Sequence, residues 1–270
     1  MKKKIIIAVL VIIALVCAIL AGYVYFKGKD KVAVLCYHNL ATADEKANFP
    51  DENDWVIDVE NFEEQLKYLS KNNYKTLTMD EFYEWKQGKI DLPSKSVLIT
   101  FDDGFLSNYH YAFPLLKKYN MNATVFLIGE YVDNATQEEW DGNIKTYMTN
   151  NLVKKSKEEY PNIDFCSHSY GLHYKNSIKE NDKEQMGDDA LIFASNITET
   201  KYFAYPFGEY NQKLITSLQN KGYCLGFKYG PEKEDYRKAT RDDDNFKIPR
   251  LNVSHGMEIW RFGLRLLIGD

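Results

Sequence analysis

The sequence predicts an α/β fold in which parallel strands alternate with helices, as either an open sheet or a closed barrel. Its clearest strand, residues 97–101, is an apolar, β-branched run between polar residues, typical of a strand buried on both faces. Segments with the apolar spacing of amphipathic helices lie between such runs. With 270 residues, 44% hydrophobic and 27% charged, the chain can form one sizeable globular domain after an N-terminal segment.

The N-terminal segment is predicted to anchor the domain in a cell membrane. Residues 5–26 carry no charge and would span about 33 Å as a helix, enough to cross a bilayer. The lysine-rich residues 1–4 would stay cytoplasmic and residues 27–270 would lie outside the cell, with aromatic residues at the outer interface. A cleaved signal peptide, or lipid attachment at Cys17, is the weaker reading, because the run is long and lacks the small residues that those cleavage sites need.

Charge and cysteine usage exclude two classes of function. Residues 27–270 carry 31 basic and 39 acidic side chains, so nucleic acid is not an expected partner. Cys36, Cys166 and Cys224 show neither a C-x-x-C pair nor finger spacing, which excludes a cysteine-based zinc site. All three fall on predicted strands and are expected to be buried free thiols, with a disulfide left open.

The first predicted elements are a core strand at 33–37, a long loop at 41–55 and an amphipathic helix at 58–72. Long loops in compact domains tend to carry function, so this loop is expected to lie over the active face of the domain. Thr78 and Glu81 match a capping box, which opens a second helix.

Further along, residues 108–119 are predicted to be helical despite Pro114, and residues 123–128 to be a buried strand. The charged stretches 132–161 and 176–189 are interpreted as surface, the first as a helical insertion. The remaining elements are strands at 202–205, 223–227 and 247–253 and helices at 211–220 and 258–268. The last helix is apolar on several sides, for which core packing is the default explanation and membrane contact the alternative.

Two adjacent carboxylates end the strand at 97–101. Side chains alternate along a strand, so Asp102 and Asp103 are expected to diverge, while Gly104 permits a turn with positive φ. One carboxylate can then bind a ligand while the other reacts. The alternative is an ordinary solvated turn, since Asp-Gly is a common turn pair.

A second apolar run, residues 163–167, leads into His168 and His173. Positions five apart lie about 140° apart on a helix, so the two imidazoles need a strand end and a loop to meet. Two imidazoles and a carboxylate are a common ligand set for an open divalent-metal site. Taken alone, the His168 and His173 pair would more often be structural, as surface or core histidines, and it is the combination with the Asp-Asp-Gly strand end that favours a metal site.

These segments resemble the first two motifs of the polysaccharide deacetylases, carbohydrate esterase family four: Thr100-Phe101-Asp102-Asp103-Gly104 and His168-Ser169-x-x-x-His173. A third motif follows in the same order at residues 203–211, without the arginine that precedes it in the broad family. That form is closer to the branch that de-N-acetylates poly-N-acetylglucosamine in biofilms. Segments at 35–38, 62–66 and 74–78 also look like that branch, so the resemblance covers about residues 32–253.

The resemblance implies a distorted, incomplete (β/α) barrel of about seven strands, circularly permuted, that hydrolyses the acetamide of an N-acetylhexosamine. Asp103, His168 and His173 would hold one divalent ion; zinc suits this ligand set, and cobalt or nickel would fit the geometry. Asp102 would be the base that takes a proton from water.

The resemblance also implies an oxyanion donor and a general acid. The donor would be the backbone N–H of Tyr205, followed by Pro206 in the third motif. The broad family carries its acid histidine in a late Leu-x-x-His motif, which His255 fits poorly. His38 fits better because it ends an apolar strand, and in a permuted barrel that strand would bring it to the same face as Asp102.

The implied partner is an extracellular glycan such as poly-N-acetylglucosamine, with peptidoglycan as the nearest competitor. Trp55 and Tyr109 are candidates for stacking on sugar rings, because both lie in or next to predicted active-face loops. A catalytically silent, membrane-tethered polysaccharide-binding module is the alternative of another class. Metal identity, the exact polymer and the oligomeric state are not determined by the sequence.

Overall fold

The computed structural model describes residues 30–49, 55–229 and 237–269, together with residues 5–7, 9–16, 19 and 22 of the N-terminal segment. Within this described part of the chain, no helix combines the length and apolar character needed to cross a bilayer. The predicted tail at 1–4, Cys17 and the aromatic residues at 23, 25 and 26 lie outside the described residues. The anchor at 5–26 therefore stays a prediction.

The described strands are β1 (Lys31–Tyr37), β2 (Asn39–Ala41), β3 (Val56–Asp58), β4 (Lys75–Thr76), β5 (Ser96–Asp103), β6 (Ala123–Leu127), β7 (Ile163–Ser167), β8 (Tyr202–Ala204), β9 (Leu225–Phe227), β10 (Ala239–Thr240) and β11 (Leu251–Asn252). The α-helices are α1 (Ala43–Ala47), α2 (Val59–Lys71), α3 (Met79–Lys86), α4 (Phe113–Lys118), α5 (Gly129–Asn134), α6 (Asn150–Glu159), α7 (Ser177–Glu180), α8 (Lys183–Asn196), α9 (Gln212–Asn220) and α10 (Ile259–Ile268).

The main sheet runs in the order β10-β1-β5-β6-β7-β8-β9. Strand β1 pairs in parallel with β5 on one side and β11 on the other, so Leu35 lies opposite both Ile99 and Leu251. A parallel bridge between Phe227 and Ile248 links β9 to the segment before β11. Seven parallel strands, β1, β5 to β9 and β11, thus curl back toward their start, as in a distorted (β/α) barrel. The first of the described strands, β1, lies beside the last, β11, as in any barrel that closes, so the permuted order stays a prediction.

Alternation along the strands gives the sheet two apolar faces. On β5, Ile99 and Phe101 belong to the larger core, which includes the buried face of α2, whereas Leu98 belongs to a second cluster on the opposite face. Thr100 and Asp102 follow Leu98 in step along the strand. Asp102 therefore projects from the same face as the second cluster, at the carboxyl end of β5.

The early elements confirm most of the sequence predictions. Helix α2 and the capping box of Thr78 and Glu81 form as expected. The predicted loop at 41–55 instead contains α1, which a second capping box opens. Pro114 is tolerated because it lies in the first turn of α4, where its missing N–H breaks no helical hydrogen bond. A π-helical turn, Asn108–Ala112, precedes it.

The two charged stretches differ most from expectation. Residues 135–149 are irregular between α5 and α6, and their Ile144 and Met148 are fully buried. In the second stretch, Ile178 on α7 and Met186 on α8 are buried as well. These segments contribute to the core through apolar residues widely spaced among charges, so average polarity wrongly marked them as surface.

The three described cysteines are free thiols. Cys36 and Cys166 are buried as expected, and burial raises the pKa of both thiols. Cys224 differs, because it is only partly buried and precedes β9.

Candidate active site

A cavity of about 470 Å³ opens at the carboxyl ends of the parallel strands, where side chains from several strands converge. The predicted site residues that line it are His38, Asp102, Asp103, His168, His173 and Tyr205. Pro206 and His255 are not among its lining residues. Sequence-distant strand ends therefore meet in one place.

Asp103, His168 and His173 form a compact donor cluster. The Asp103 Oδ1 atom lies 3.4 Å from His168 Nε2 and 3.4 Å from His173 Nε2. This oxygen is buried and has no hydrogen-bond partner among the described residues, an unsatisfied acceptor that a cation would complete. The cluster thus fits a divalent metal ion, with one carboxylate and two imidazole donors that can each offer one atom.

Hydrogen bonding and burial prepare His168 for this role. Its Nδ1 donates to the carbonyl oxygen of Ala204 at 2.9 Å, which leaves Nε2 as the donor atom toward Asp103. Burial lowers the pKa of His168 to about 4, so the neutral imidazole that binds metals predominates. Burial alone would raise the pKa of Asp103, but the surrounding imidazoles hold it below its usual value.

The turn after β5 separates the two carboxylates. Asp103 has φ of 74°, and Gly104 follows with φ of 80°. A Cβ at Gly104 would lie 2.6 Å from Leu127 Cδ2, so the position needs glycine. The left-handed backbone at Asp103, as well as strand alternation, therefore directs its side chain to the imidazoles. Such strain in a non-glycine residue is typical of functional sites.

Asp102 is paired with an arginine that the sequence analysis missed. Arg250 donates from Nη1 to Asp102 Oδ1 and from Nη2 to Asp102 Oδ2, each at 2.7 Å, and both side chains are buried. Burial alone would raise the pKa of Asp102, but the guanidinium holds it well below its usual value. The available signal was an arginine in the middle of the predicted strand at 247–253, next to Leu251.

His38 and His255 have different surroundings. His38 Nε2 lies 4.0 Å from Asp102 Oδ2, and the imidazole packs on Trp55 with ring centroids 4.8 Å apart. His255 is 42% exposed, with its Nδ1 2.6 Å from Lys46 Nζ and 3.5 Å from Asp58 Oδ2. Of these two histidines, only His38 lines the cavity together with Asp102.

The third motif departs from its expected role. The Tyr205 N–H donates to the Phe227 carbonyl at 3.0 Å, within the pairing of β8 with β9. This hydrogen bond contradicts the expectation that the Tyr205 amide faces an oxyanion. Pro206 is buried and opens a 3-10 turn, Pro206–Gly208, in which Phe207 has φ of 56° and lines the cavity. The Phe207 ring lies 4.7 Å from that of His173.

Asp189 is a second residue that the sequence analysis missed. Its carboxylate accepts hydrogen bonds from the backbone N–H groups of Tyr170 and Gly171, at 2.9 and 2.7 Å. It thereby holds the turn between His168 and His173. The signal was its helical spacing, three residues after Met186 and four before Phe193, which places it on the buried face of α8.

Replacing Arg250 with methionine is expected to lower the free energy of unfolding by about 3–5 kcal/mol, because the Asp102 carboxylate would remain buried without its counter-charge. Urea unfolding measures the change. The matched control is Arg237→Met, which removes the ion pair between Arg237 and Asp243. Because Arg237 is 45% exposed, this change should lower the free energy of unfolding by less than about 1 kcal/mol. If the two variants lost the same free energy of unfolding, the prediction that the buried arginine matters more than the exposed one would be wrong.

Fold and site together define a class of protein, the α/β-barrel hydrolases. Their site combines one carboxylate and two histidines, next to a second, buried carboxylate. Comparison with known proteins specifies it further. The polysaccharide deacetylase family model matches residues 89–226, about half of the chain. The chain therefore belongs to the polysaccharide deacetylase family, hydrolases that act on N-acetyl amide bonds.

Individual relatives agree with this assignment. The chain is 29% identical over 250 residues to the poly-beta-1,6-N-acetyl-D-glucosamine N-deacetylase of Staphylococcus epidermidis, covering 84% of this chain and 80% of the relative. The structure of IcaB from Ammonifex degensii is similar, with a TM-score of 0.65 and 25% identity over 83% of this chain and 92% of that one. The Streptococcus pyogenes deacetylase PplD, solved with acetate, shares the fold with a TM-score of 0.71 at 21% identity, covering 88% and 99% of the two chains.

Proposed function

We propose that the protein removes acetyl groups from N-acetylglucosamine units of an extracellular poly-N-acetylglucosamine-type polysaccharide, in a metal-dependent hydrolysis that releases acetate. The observation that carries the proposal is one cavity in which a metal-type cluster, Asp103, His168 and His173, adjoins the Asp102–Arg250 pair and His38. The Staphylococcus epidermidis relative, named for this polymer, supports the choice of substrate.

A divalent cation held by Asp103, His168 and His173 would supply a Lewis acid that polarises the acetamide carbonyl and lowers the pKa of the attacking water. Zinc suits this ligand set, and cobalt or nickel would also fit it.

The remaining chemistry falls to side chains around the cluster. Asp102 accepts the proton of the attacking water, and Arg250 fixes the orientation of its carboxylate. Because the guanidinium keeps the Asp102 pKa low, the carboxylate starts ionised and holds that proton only briefly. His38, whose Nε2 lies 4.0 Å from Asp102 Oδ2, donates a proton to the departing amine. The Phe207 N–H replaces Tyr205 as candidate oxyanion donor, because the first N–H groups of a helical turn lack acceptors within the turn.

The two aromatic candidates for sugar binding separate in space. Trp55 lines the cavity, is 42% exposed, and contacts Tyr229 with ring centroids 5.5 Å apart. Tyr109 instead donates to Glu159 and packs edge-on against Tyr160, outside the cavity lining. Trp55 is therefore the aromatic residue proposed to stack on a sugar ring, and Tyr109 is not.

Replacing Trp55 with alanine is expected to raise KM for N-acetylglucosamine oligomers roughly 5- to 30-fold, the equivalent of losing about 1–2 kcal/mol of stacking. Steady-state kinetics with oligomers of increasing length measure this effect. Trp260→Ala is the control, because Trp260 is exposed on α10 and is not among the cavity-lining residues. An unchanged KM in Trp55→Ala would remove the stacking role.

The test of the function is acetate release from N-acetylglucosamine oligomers before and after treatment with a chelator. Activity should be lost with the chelator and return when zinc, cobalt or nickel is added back. Activity that survives complete metal removal would contradict the metal-dependent reaction. Parallel assays on peptidoglycan test the substrate, and faster acetate release from peptidoglycan would overturn the order proposed here. Polymer binding without acetate release would indicate a silent binding module.

A further inference from the structure

The C-terminal helix α10 exposes a continuous apolar surface. Trp260, Leu264, Leu267 and Ile268 follow the helical spacing of one face and are 65%, 45%, 46% and 63% exposed. Its other face is packed tightly on α2, where a Cβ at Gly263 would lie 2.5 Å from Tyr68 Oη. Core packing therefore accounts for only half of the helix. We call the exposed half, formed by these four residues, the α10 face.

The end of α10 lies beside the start of β1. Lys238 Nζ donates to the Leu267 carbonyl at 3.0 Å. The residues after Lys238 form β10, which pairs with β1 so that Lys31 lies opposite Thr240. The α10 face therefore ends next to the point at which the N-terminal segment enters the domain.

The sequence puts that point close to the predicted anchor. Four residues separate Phe26, the last residue of the uncharged run, from Lys31, so the Cα atoms of these two residues lie at most about 18 Å apart. A tether this short would keep the domain at the bilayer surface and would give the α10 face a high effective concentration there. A partner protein would lack this advantage.

We propose that the α10 face lies in the interfacial layer of the membrane that holds residues 5–26, so that the domain rests on the lipid surface as well as being tethered to it. An amphipathic helix with tryptophan and leucine on its apolar side is suited to this layer. The exposed Arg261 on the same helix supplies positive charge for anionic headgroups. The inference goes beyond the proposed function and rests on the predicted anchor.

This placement orients the cavity. Helix α10 begins after the carboxyl end of β11 and ends beside the amino end of β1, so it runs opposite to the parallel strands. If α10 lies parallel to the bilayer surface, the parallel strands lie parallel to that surface as well. The cavity at their carboxyl ends then opens to the side of the domain, along the membrane surface. A polymer lying along the cell surface could then reach the site.

The test uses the full chain in vesicles of phosphatidylcholine with roughly a quarter phosphatidylglycerol, with and without brominated acyl chains that quench nearby tryptophan fluorescence. Quenching of the parent should fall by most of its amplitude in Trp260→Phe. The control Trp140→Phe should retain it, because Trp140 is half-buried and packs against Tyr111 and His110. Equal quenching in the parent and Trp260→Phe would overturn the proposal.

A second variant tests whether lipid or a second copy of the protein covers the α10 face. Leu264→Cys in the same vesicles should remain uncrosslinked under mild oxidation if lipid covers the face. Efficient disulfide formation between two copies would instead show an interface between copies and overturn the proposal. Acetate release from soluble oligomers should be unchanged in both Trp260→Phe and Leu264→Cys. Parent protein without any acetate release would contradict the proposed function, while the quenching result would still decide this inference.

Discussion

Replacing Asp102 with asparagine should reduce acetate release by about 10²- to 10⁴-fold, the usual range for loss of a general base. The amide keeps the size of the carboxylate but cannot take a proton from water. It also cannot neutralise Arg250, whose guanidinium donates two hydrogen bonds of 2.7 Å to this side chain in a buried position. The variant is therefore expected to be less stable as well as inactive.

The experiment has to separate these two effects. Turnover is measured at a temperature at which unfolding curves show the variant to be folded, and its metal content is determined at the same time. Asp91→Asn is the matched control, because Asp91 also pairs with an arginine but is 91% exposed, and its activity should stay within about twofold of the parent. A folded, metal-loaded Asp102→Asn variant with parental turnover would remove Asp102 from the mechanism.

Replacing His38 with alanine should lower deacetylation by about 10²- to 10⁴-fold while leaving the metal and the fold in place. His38 Nε2 lies 4.0 Å from Asp102 Oδ2 in the cavity, whereas the proposed metal ligands are Asp103, His168 and His173. The amine of a deacetylated sugar is a poor leaving group until it is protonated. Hydrolysis of nitrophenyl acetate, whose leaving group needs no proton, should be affected much less by the same change.

The matched control for this prediction is His255→Ala. His255 contacts Lys46 and Asp58 at the edge of the domain, so its loss should leave turnover nearly unchanged. An inactive His255→Ala together with an active His38→Ala would assign the acid to the late histidine. A parallel loss of amide and ester hydrolysis in His38→Ala would indicate that His38 orients other groups instead of donating a proton.

Much of the fold follows from local patterns in the sequence. The apolar run of β5 and the apolar spacing of α2 were predictable, because short-range alternation and helical periodicity decide which face of an element can be buried. The capping box of α3 was predictable for the same reason, since a cap depends on residues only three positions apart. The candidate metal donors were predictable because they immediately follow strands and match motifs of a known family.

The tertiary structure decided contacts between residues that are far apart in the chain. Arg250 and Asp102 are separated by 148 positions, and only the pairing of β1 with both β5 and β11 brings their strands together. The hydrogen bond of the Tyr205 amide depends in the same way on β9.

The tertiary structure also decided which residues of the charged stretches are buried. Asp189 holds the turn between His168 and His173 because α8 packs its apolar side inward, which places this carboxylate beside the turn. Composition and short-range spacing thus determined which elements form and which residues end them. Which donor meets which acceptor depended on the closure of the sheet, because a buried charge or N–H takes its partner from whichever strand or loop the fold places beside it.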